Sequence, residues 1–292
     1  MPKAGIVTVV GRPNAGKSTL LNRLIGEKLS IVSSKAQTTR DKVVGIKTEG
    51  DVQMVIFDTP GLLNPRYLLQ NAMRHAALQA LTDADVIVHL VDALDAENLS
   101  LVSAAELERT PRAPILLALN KADVLPDPAR AALAERAPHA HFISASTGEG
   151  IDALLAAAAA ALPESPFLYP EDEISTQSVR FFVAELVRET ALEQLEEEIP
   201  YSIACEVEEF REERSPVYIR AVLYVEKESQ KGILIGHKGA QLRDIGKAAR
   251  AKIETLVGAK VYLDLWVKVL HNWRKQAPAL QRFGYRLPEE HR

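Results

Sequence analysis

Residues Gly11-Arg12-Pro13-Asn14-Ala15-Gly16-Lys17-Ser18 follow a β-branched run, Gly5–Val10, and open a helical pattern, Ser18–Ile25. A strand, a glycine-bounded loop and a helix in that order make G-x-x-x-x-G-K-S a phosphate loop. Its glycines let backbone N–H groups turn inward around phosphate oxygens, at a helix N-terminus whose dipole favours anions. Lys17 brings a point charge to the β- and γ-phosphates, and Ser18 a hydroxyl that suits Mg²⁺. Arg12, Pro13, Asn14, Ala15 and Thr19 complete the stretch expected around the phosphates. Outward from this loop the rhythm repeats. Apolar runs at Val52–Phe57, Val86–Val91, Ile115–Leu119 and His141–Ser144 alternate with helical patterns at Leu68–Leu81, Ser100–Arg109, Ala129–Ala137 and Ile151–Leu162. This predicts an α/β P-loop domain, a mostly parallel sheet with helices on both faces. Lys42–Thr48 is expected as an antiparallel edge strand.

The remaining polar loops leave the same rim of that sheet. Asp58-Thr59-Pro60-Gly61-Leu62 ends the run Val52–Phe57. Asp58 is placed to hold Mg²⁺ through a water, and the Gly61 N–H to approach the γ-phosphate. Asn120-Lys121-Ala122-Asp123 ends the run Ile115–Leu119. A carboxylate at Asp123 can accept two parallel hydrogen bonds from the N1–H and 2-amino group of guanine, whereas adenine presents an acceptor at N1. Lys121 would lay its aliphatic stem on the purine, Asn120 would tie this loop to the phosphate loop, and Ser144-Ala145-Ser146 would offer the Ala145 N–H to guanine O6. These groups together imply a guanine nucleotide. In the loop Ser33–Arg40, a threonine should complete the Mg²⁺ shell in the triphosphate state and release it after hydrolysis. Thr39, beside Arg40, is the expected ligand over Thr38.

The chain has 292 residues, 47% of them apolar and 25% charged, which excludes a disordered tail, a collagen-like fibre and a small disulfide scaffold. Single cores rarely grow past about 250–300 residues, so two domains are expected. Pro163, Pro166 and Pro170 interrupt the α/β rhythm, and the order that follows is α-β-β-α-α-β, with a helix expected over about Gln177–Glu198 and a helix pair over about Ile233–Val257. The expected division is a G domain over 1–165, a linker over 166–175 and an α+β domain over 176–292. The net charge of −4 hides a cancellation. Residues 1–170 hold 16 Lys/Arg against 18 Asp/Glu, residues 171–213 hold 3 against 14, and residues 214–292 hold 16 against 7. The basic last segment contains Ile235-Gly236-His237-Lys238-Gly239, the I-G-x-x-G turn with which a KH domain clamps about four nucleotides of a nucleic-acid backbone. Lys231, Gly236, His237, Lys238, Gly239, Arg243 and Lys247 are the expected RNA contacts, and Arg250 extends the same basic surface. Trp266 is expected in the core with Val261, Leu263, Leu265 and Val267. Cys205 has no disulfide partner and reads as a buried structural thiol, which suits a reducing cytosol. The start of the chain leads straight into a strand-like run, and Ile151–Leu162 is too short to span a bilayer. A cytoplasmic protein without signal peptide or membrane span is expected.

With the phosphate loop, D-T-P-G, N-K-A-D and S-A-S in place, the first domain resembles the translation-factor-related GTPases. Ras-like enzymes carry a water-orienting glutamine directly after D-x-x-G, and Leu62 stands there in this chain. The resemblance implies slow intrinsic turnover supported by Lys17, Thr39, Gly61 and Asn14. Asn14 matches the asparagine that coordinates a potassium ion in relatives. A GTPase domain followed by a KH domain of this second topology resembles the Era family of bacterial ribosome-assembly GTPases, over essentially the whole chain. The likeness includes Gln37-Thr38-Thr39-Arg40, Asp58–Leu62 and Tyr262–Val269. It implies a GTP/GDP switch with Mg²⁺ and K⁺, binding to small-subunit ribosomal RNA near its 3′ end, and assistance to maturation of the small ribosomal subunit. It also implies a monomer with a peripheral contact at the inner face of the cell membrane. Two departures stand out: the segment Ala93–Pro111 is short, and Ser146 replaces the commoner charged residue after Ser-Ala.

Overall fold

The computed structural model describes residues 1–33, 35 and 37–288. Its contacts divide the chain into two compact units, Met1–Arg66 with Gln70–Thr176, and Gln177 onward with Tyr67–Leu69.

The first unit runs β1 (Lys3–Val10), α1 (Lys17–Ile25), β2 (Val43–Glu49), β3 (Val52–Asp58), α2 (Leu68–Asp83), β4 (Val86–Asp92), α3 (Leu101–Ala105), β5 (Ile115–Asn120), α4 (Asp127–Arg136), β6 (His141–Phe142) and α5 (Ile151–Ala161). The sheet order is β2-β3-β1-β4-β5-β6. β2 pairs antiparallel with β3, and the other pairings are parallel. Parallel strands covered on both faces must be apolar throughout. β1 and β4 come close to that demand, with Val9, Val10, Ile87 and Leu90 fully buried and Thr8 and His89 as their buried polar residues. The parallel strands carry their C-terminal ends to one rim.

Helix α3 is shorter than the pattern Ser100–Arg109 suggests. Glu106 adopts φ +51° and ends the helix, which lets Leu107 pack against Leu101 and Ala105 in the core. The proline-rich segment is not a free spacer. Gln53, buried in β3, donates to the Tyr169 carbonyl and accepts from the Leu168 and Tyr169 amides at 2.7–3.0 Å. Farther on, the Ile46 amide donates to the Ile174 carbonyl (2.8 Å) and Ser175 Oγ to the Val44 carbonyl (2.6 Å).

The second unit runs α6 (Val179–Gln194), α7 (Ile199–Ser202), β7 (Ala204–Arg211), β8 (Val217–Val225), α8 (Glu228–Ile235), α9 (Ala240–Val257), β9 (Val261–Val269) and α10 (Ala277–Arg282). β7 pairs antiparallel with β8, and β8 pairs parallel with β9. Side chains of α6 and α9 pack with Ile219, Ala221 and Leu223 of β8 and Val261 and Val267 of β9 in one core. The helix expected over 177–198 breaks at Leu195, whose extended, buried position leads into α7. Helix α8 starts at Glu228 instead of Ile233, because Gln230 Oε1 accepts from the Glu226 and Lys227 amides (2.9 and 3.1 Å) and closes the first turn without apolar residues.

Trp266 is a correction. It is 52% exposed, not core. Val261, Leu263, Leu265 and Val267 occupy odd positions of β9, so an even-numbered Trp266 points to the opposite face. Trp273, by contrast, is fully buried and donates Nε1–H to the Ser202 carbonyl at 2.7 Å. Cys205 packs against the core, and burial pushes its thiol well above the ordinary range. Among the described residues, no helix is long and apolar enough to cross a membrane.

Candidate nucleotide and nucleic-acid sites

A cleft of ≈ 530 Å³ opens at the rim where the parallel strands end. It is lined by Pro13, Asn14, Gly16, Lys17, Ser18 and Thr19 after β1, Thr39 before β2, Gly61 after β3, Asn120, Lys121 and Asp123 at the end of β5, and Ala145 and Ser146 after β6. The loop after β1 curls around the start of α1 with Asn14 at φ +63° and Gly16 at φ +98°. A Cβ on Gly16 would lie 2.2 Å from Asn120 Nδ2, so only glycine fits there.

Asn120 holds three loops together. Its Nδ2 donates to the Ala15 carbonyl (2.7 Å) and its Oδ1 accepts from the Ala145 amide (2.9 Å), both buried. The Ala145 N–H expected on guanine O6 is therefore engaged, and a base would have to share it. Lys121 turns at φ +68° and sends Nζ to Asp92 Oδ2 at 2.5 Å. Asp123 lies in the next turn, exposed at the cleft, so a bound base must itself exclude water from that carboxylate.

Lys17 is buried inside the phosphate loop, where Nζ donates to the Gly11 and Arg12 carbonyls (3.1 and 2.8 Å). Burial lowers its pKa to about 8, against the opposing charge of Asp58. An anion in the cleft would restore the full ammonium charge. Beside it, Ser18 Oγ donates to Asp58 Oδ2 (2.7 Å) and shares a hydrogen bond with Thr39 Oγ1 (2.8 Å). Thr39 Oγ1 also lies 3.3 Å from Asp58 Oδ2, and its single proton serves either Ser18 or Asp58. Thr38 also lines the cleft, but its hydroxyl donates to the Lys35 carbonyl (2.6 Å). Of this loop, Ser34 and Ala36 lie outside the described residues. Burial raises the Asp58 pKa, opposed by Lys17 and by hydroxyl hydrogen bonds, and Oδ1 is buried without a hydrogen-bond partner among the described residues. Two hydroxyls and an under-satisfied carboxylate form an all-oxygen donor set, which fits Mg²⁺ better than a softer metal.

Several expected residues stand behind the cleft instead of in it. Thr59 Oγ1 donates to the Val9 carbonyl (2.8 Å), and Pro60 is buried. The Leu62 amide donates to the Gly11 carbonyl (3.0 Å) while its side chain packs with Val10, Ala77 and Leu81. Arg12 points outward to Asp95 at 3.5 Å, and Gly11, Ala15 and Ser144 support the loops from below. Gln37, from the loop 33–40, also lines the cleft, and sequence reasoning missed Ile31 and Val32 beside it. The apolar pair Ile31-Val32, set among polar residues, was the only signal for them.

In the second unit, Gly236, His237, Lys238 and Gly239 form a tight turn between α8 and α9. Gly236 sits at φ +71°, and a Cβ there would lie 2.7 Å from Gln241 Cβ. His237 and Lys238 project from the turn, both exposed. A groove of ≈ 500 Å³ runs from Gly239 between α9 and β9, with Leu242, Leu263 and Leu265 as apolar lining and Arg243, Lys247 and Arg250 as its cations. Lys231 is on α8, outside this groove.

The first unit is a P-loop GTPase fold with a guanine-type rim, and the second is a KH fold. Family models agree: residues 6–121 match that of the 50S ribosome-binding GTPases, and residues 198–274 match the KH domain. GTPase Era of Carboxydothermus hydrogenoformans is 42% identical across 97% of this chain and 98% of its own. GTPase Era of Ectopseudomonas mendocina is 44% identical across 97% of each. Among solved structures, Era in complex with MgGDPNP and nucleotides 1506–1542 of 16S ribosomal RNA superposes with a TM-score of 0.91 at 36% identity, over 98% of this chain and all of that one. An Era variant of Aquifex aeolicus bound to GDP·AlF4⁻ gives a TM-score of 0.89 at 37% identity, with the same coverage. The chain belongs to the Era family of GTPases.

Proposed function

We propose that the chain is a switch in which residues 1–165 bind and hydrolyse GTP and residues 176–292 bind small-subunit ribosomal RNA near its 3′ end, in the service of small-subunit maturation. The observation that carries the nucleotide half is the convergence of Ser18, Thr39 and Asp58 on one another beside the buried Lys17. The loop 11–18 wraps the phosphates, with its N–H groups and Lys17 taking the β- and γ-oxygens. Ser18 and Thr39 would hold Mg²⁺ directly and Asp58 through a water. Bound there, Mg²⁺ neutralises charge on the β- and γ-phosphates. Gly61, at the cleft wall, offers its N–H to the γ-phosphate, so cleavage of the β–γ bond would release both Thr39 and Gly61 from their ligand. Asp123 takes the guanine N1–H and 2-amino group, and Lys121 flanks the ring. The RNA half rests on the G-x-x-G turn and its basic groove, and on the relative whose complex holds MgGDPNP together with 16S ribosomal RNA. That pairing favours RNA binding in the triphosphate state.

Leu62 cannot orient the attacking water, because it has no polar atom and its side chain lies in the core. Intrinsic turnover should therefore be slow, with a monovalent cation at Asn14 supplying the missing positive charge. Phosphate release from GTP by the purified protein tests this. Potassium should accelerate release at least about tenfold over sodium, a modest share of what an arginine finger contributes, and Asn14→Ala should abolish the difference. Equal rates in both salts would remove the cation from the mechanism. No release from GTP at all would remove the hydrolase.

A further inference from the structure

The sheet of the second unit has a face opposite α6 and α9, on which the end of α10 covers the part around Tyr224 and leaves the part around Tyr262 and Trp266 open. On it, Tyr218 of β8 and Tyr262 of β9 are register partners with stacked rings, centroids 5.9 Å apart and planes inclined by 13°. The guanidinium groups of Arg211, Arg214 and Arg220 stand 5.5, 5.7 and 5.8 Å from the Tyr218 ring centre. Farther along β9, Trp266 carries its indole on the same face, with Nε1–H donated to Asp264 Oδ1 at 2.8 Å. Tyr262 and Trp266 are 58% and 52% exposed. The indole's one polar group is thus already bonded within the protein, and its ring remains open to solvent.

The charges on this face are largely spent among themselves. Arg220 pairs with Glu209 (2.7 Å) and Asp264 (3.1 Å), and Arg211 pairs with Glu209. The face offers flat rings more than net charge. It is also continuous with the groove beside the G-x-x-G turn, because Tyr262 lines that groove from the edge strand β9.

We propose that a single-stranded RNA held in the groove continues over β9 and stacks bases on Tyr262 and Trp266, making the outer sheet face a second contact. This inference rests on the RNA-binding reading above. Every base has a π-face, so such a platform tolerates any sequence, and it adds affinity without adding phosphate contacts.

The probe is an RNA spanning nucleotides 1506–1542 of 16S ribosomal RNA, titrated into the full chain. Trp266→Ala should weaken binding about tenfold, with the slope of affinity against salt unchanged, and Trp266→Phe should recover most of the loss. Trp266 lies outside the groove lining, so its loss does not disturb the groove itself. The chain has two tryptophans, and Trp273 is fully buried, so RNA should quench fluorescence from Trp266 alone. The quench should vanish in Trp266→Phe. If wild type binds, Lys238→Glu weakens binding, and Trp266→Ala changes neither affinity nor fluorescence, the platform is refuted. A face built for a protein partner, whose hot spots favour the same residue types, would give that result. If wild type does not bind the RNA, the RNA-binding reading fails and takes the platform with it.

Discussion

Asp123→Asn should turn a GTP-preferring protein into one that prefers xanthosine triphosphate. The carboxylate offers two acceptors to the N1–H and 2-amino group of guanine. Asparagine offers one acceptor and one donor, which match the N1–H and 2-oxo group of xanthine. Sites built around such groups reject the mismatched base by as much as about 10⁴–10⁵-fold when buried. Asp123 is exposed in the open cleft, so the base supplies the burial and a smaller change, about 10²–10³-fold in relative kcat/KM, is expected. The substitution is isosteric, and the exposed side chain carries no packing, so folding should be unaffected. Comparing kcat/KM for the two triphosphates checks it. A retained preference for GTP would show that Asp123 does not read the base.

His237→Asp combined with Lys238→Asp should abolish most RNA binding. Both side chains project from the turn between α8 and α9 without contributing to the core. Lys238 has φ +50°, a conformation in which aspartate is favoured over most residues, so the turn should survive. An imidazole and an ammonium beside the proposed RNA path become two anions. Like charges brought together at an interface cost several kcal/mol, so affinity should fall by at least about 100-fold. The slope of affinity against salt should fall too, since fewer counterions are released. Gel-shift titration measures both, with thermal melting as the check on folding. Unchanged affinity would exclude the turn from the RNA interface.

The nucleotide half of this protein is legible in sequence because its groups must sit at strand ends. Gly11–Ser18, Asp58, Asn120 and Ser144–Ser146 each follow an apolar run, and parallel strands carry all such ends to one rim. What the sequence hid is how they are used. The engagement of the Ala145 N–H by Asn120 and the withdrawal of Leu62 into the core depend on side-chain packing that no spacing encodes. The same holds for the tether of residues 168–175 along β2 and β3, since a lone Gln53 in an apolar strand gives no hint of its three hydrogen bonds to Leu168 and Tyr169. Trp266 differs. Its parity along β9 was readable, and grouping it with its odd-numbered neighbours set residue type above period. Helix α8 escaped at its start because a side-chain cap, not apolar spacing, forms its first turn.

Affinity for the RNA of nucleotides 1506–1542, measured with Mg²⁺ and either a non-hydrolysable GTP analogue or GDP, bears directly on whether the two halves form a switch. Binding should be about tenfold tighter in the triphosphate state, within the usual range of coupling free energies. The difference should disappear in Thr39→Ala, which loses the hydroxyl proposed to complete the Mg²⁺ shell in the triphosphate state. Equal affinity in both nucleotide states would contradict the switch and leave a GTPase and an RNA-binding domain that merely share a chain.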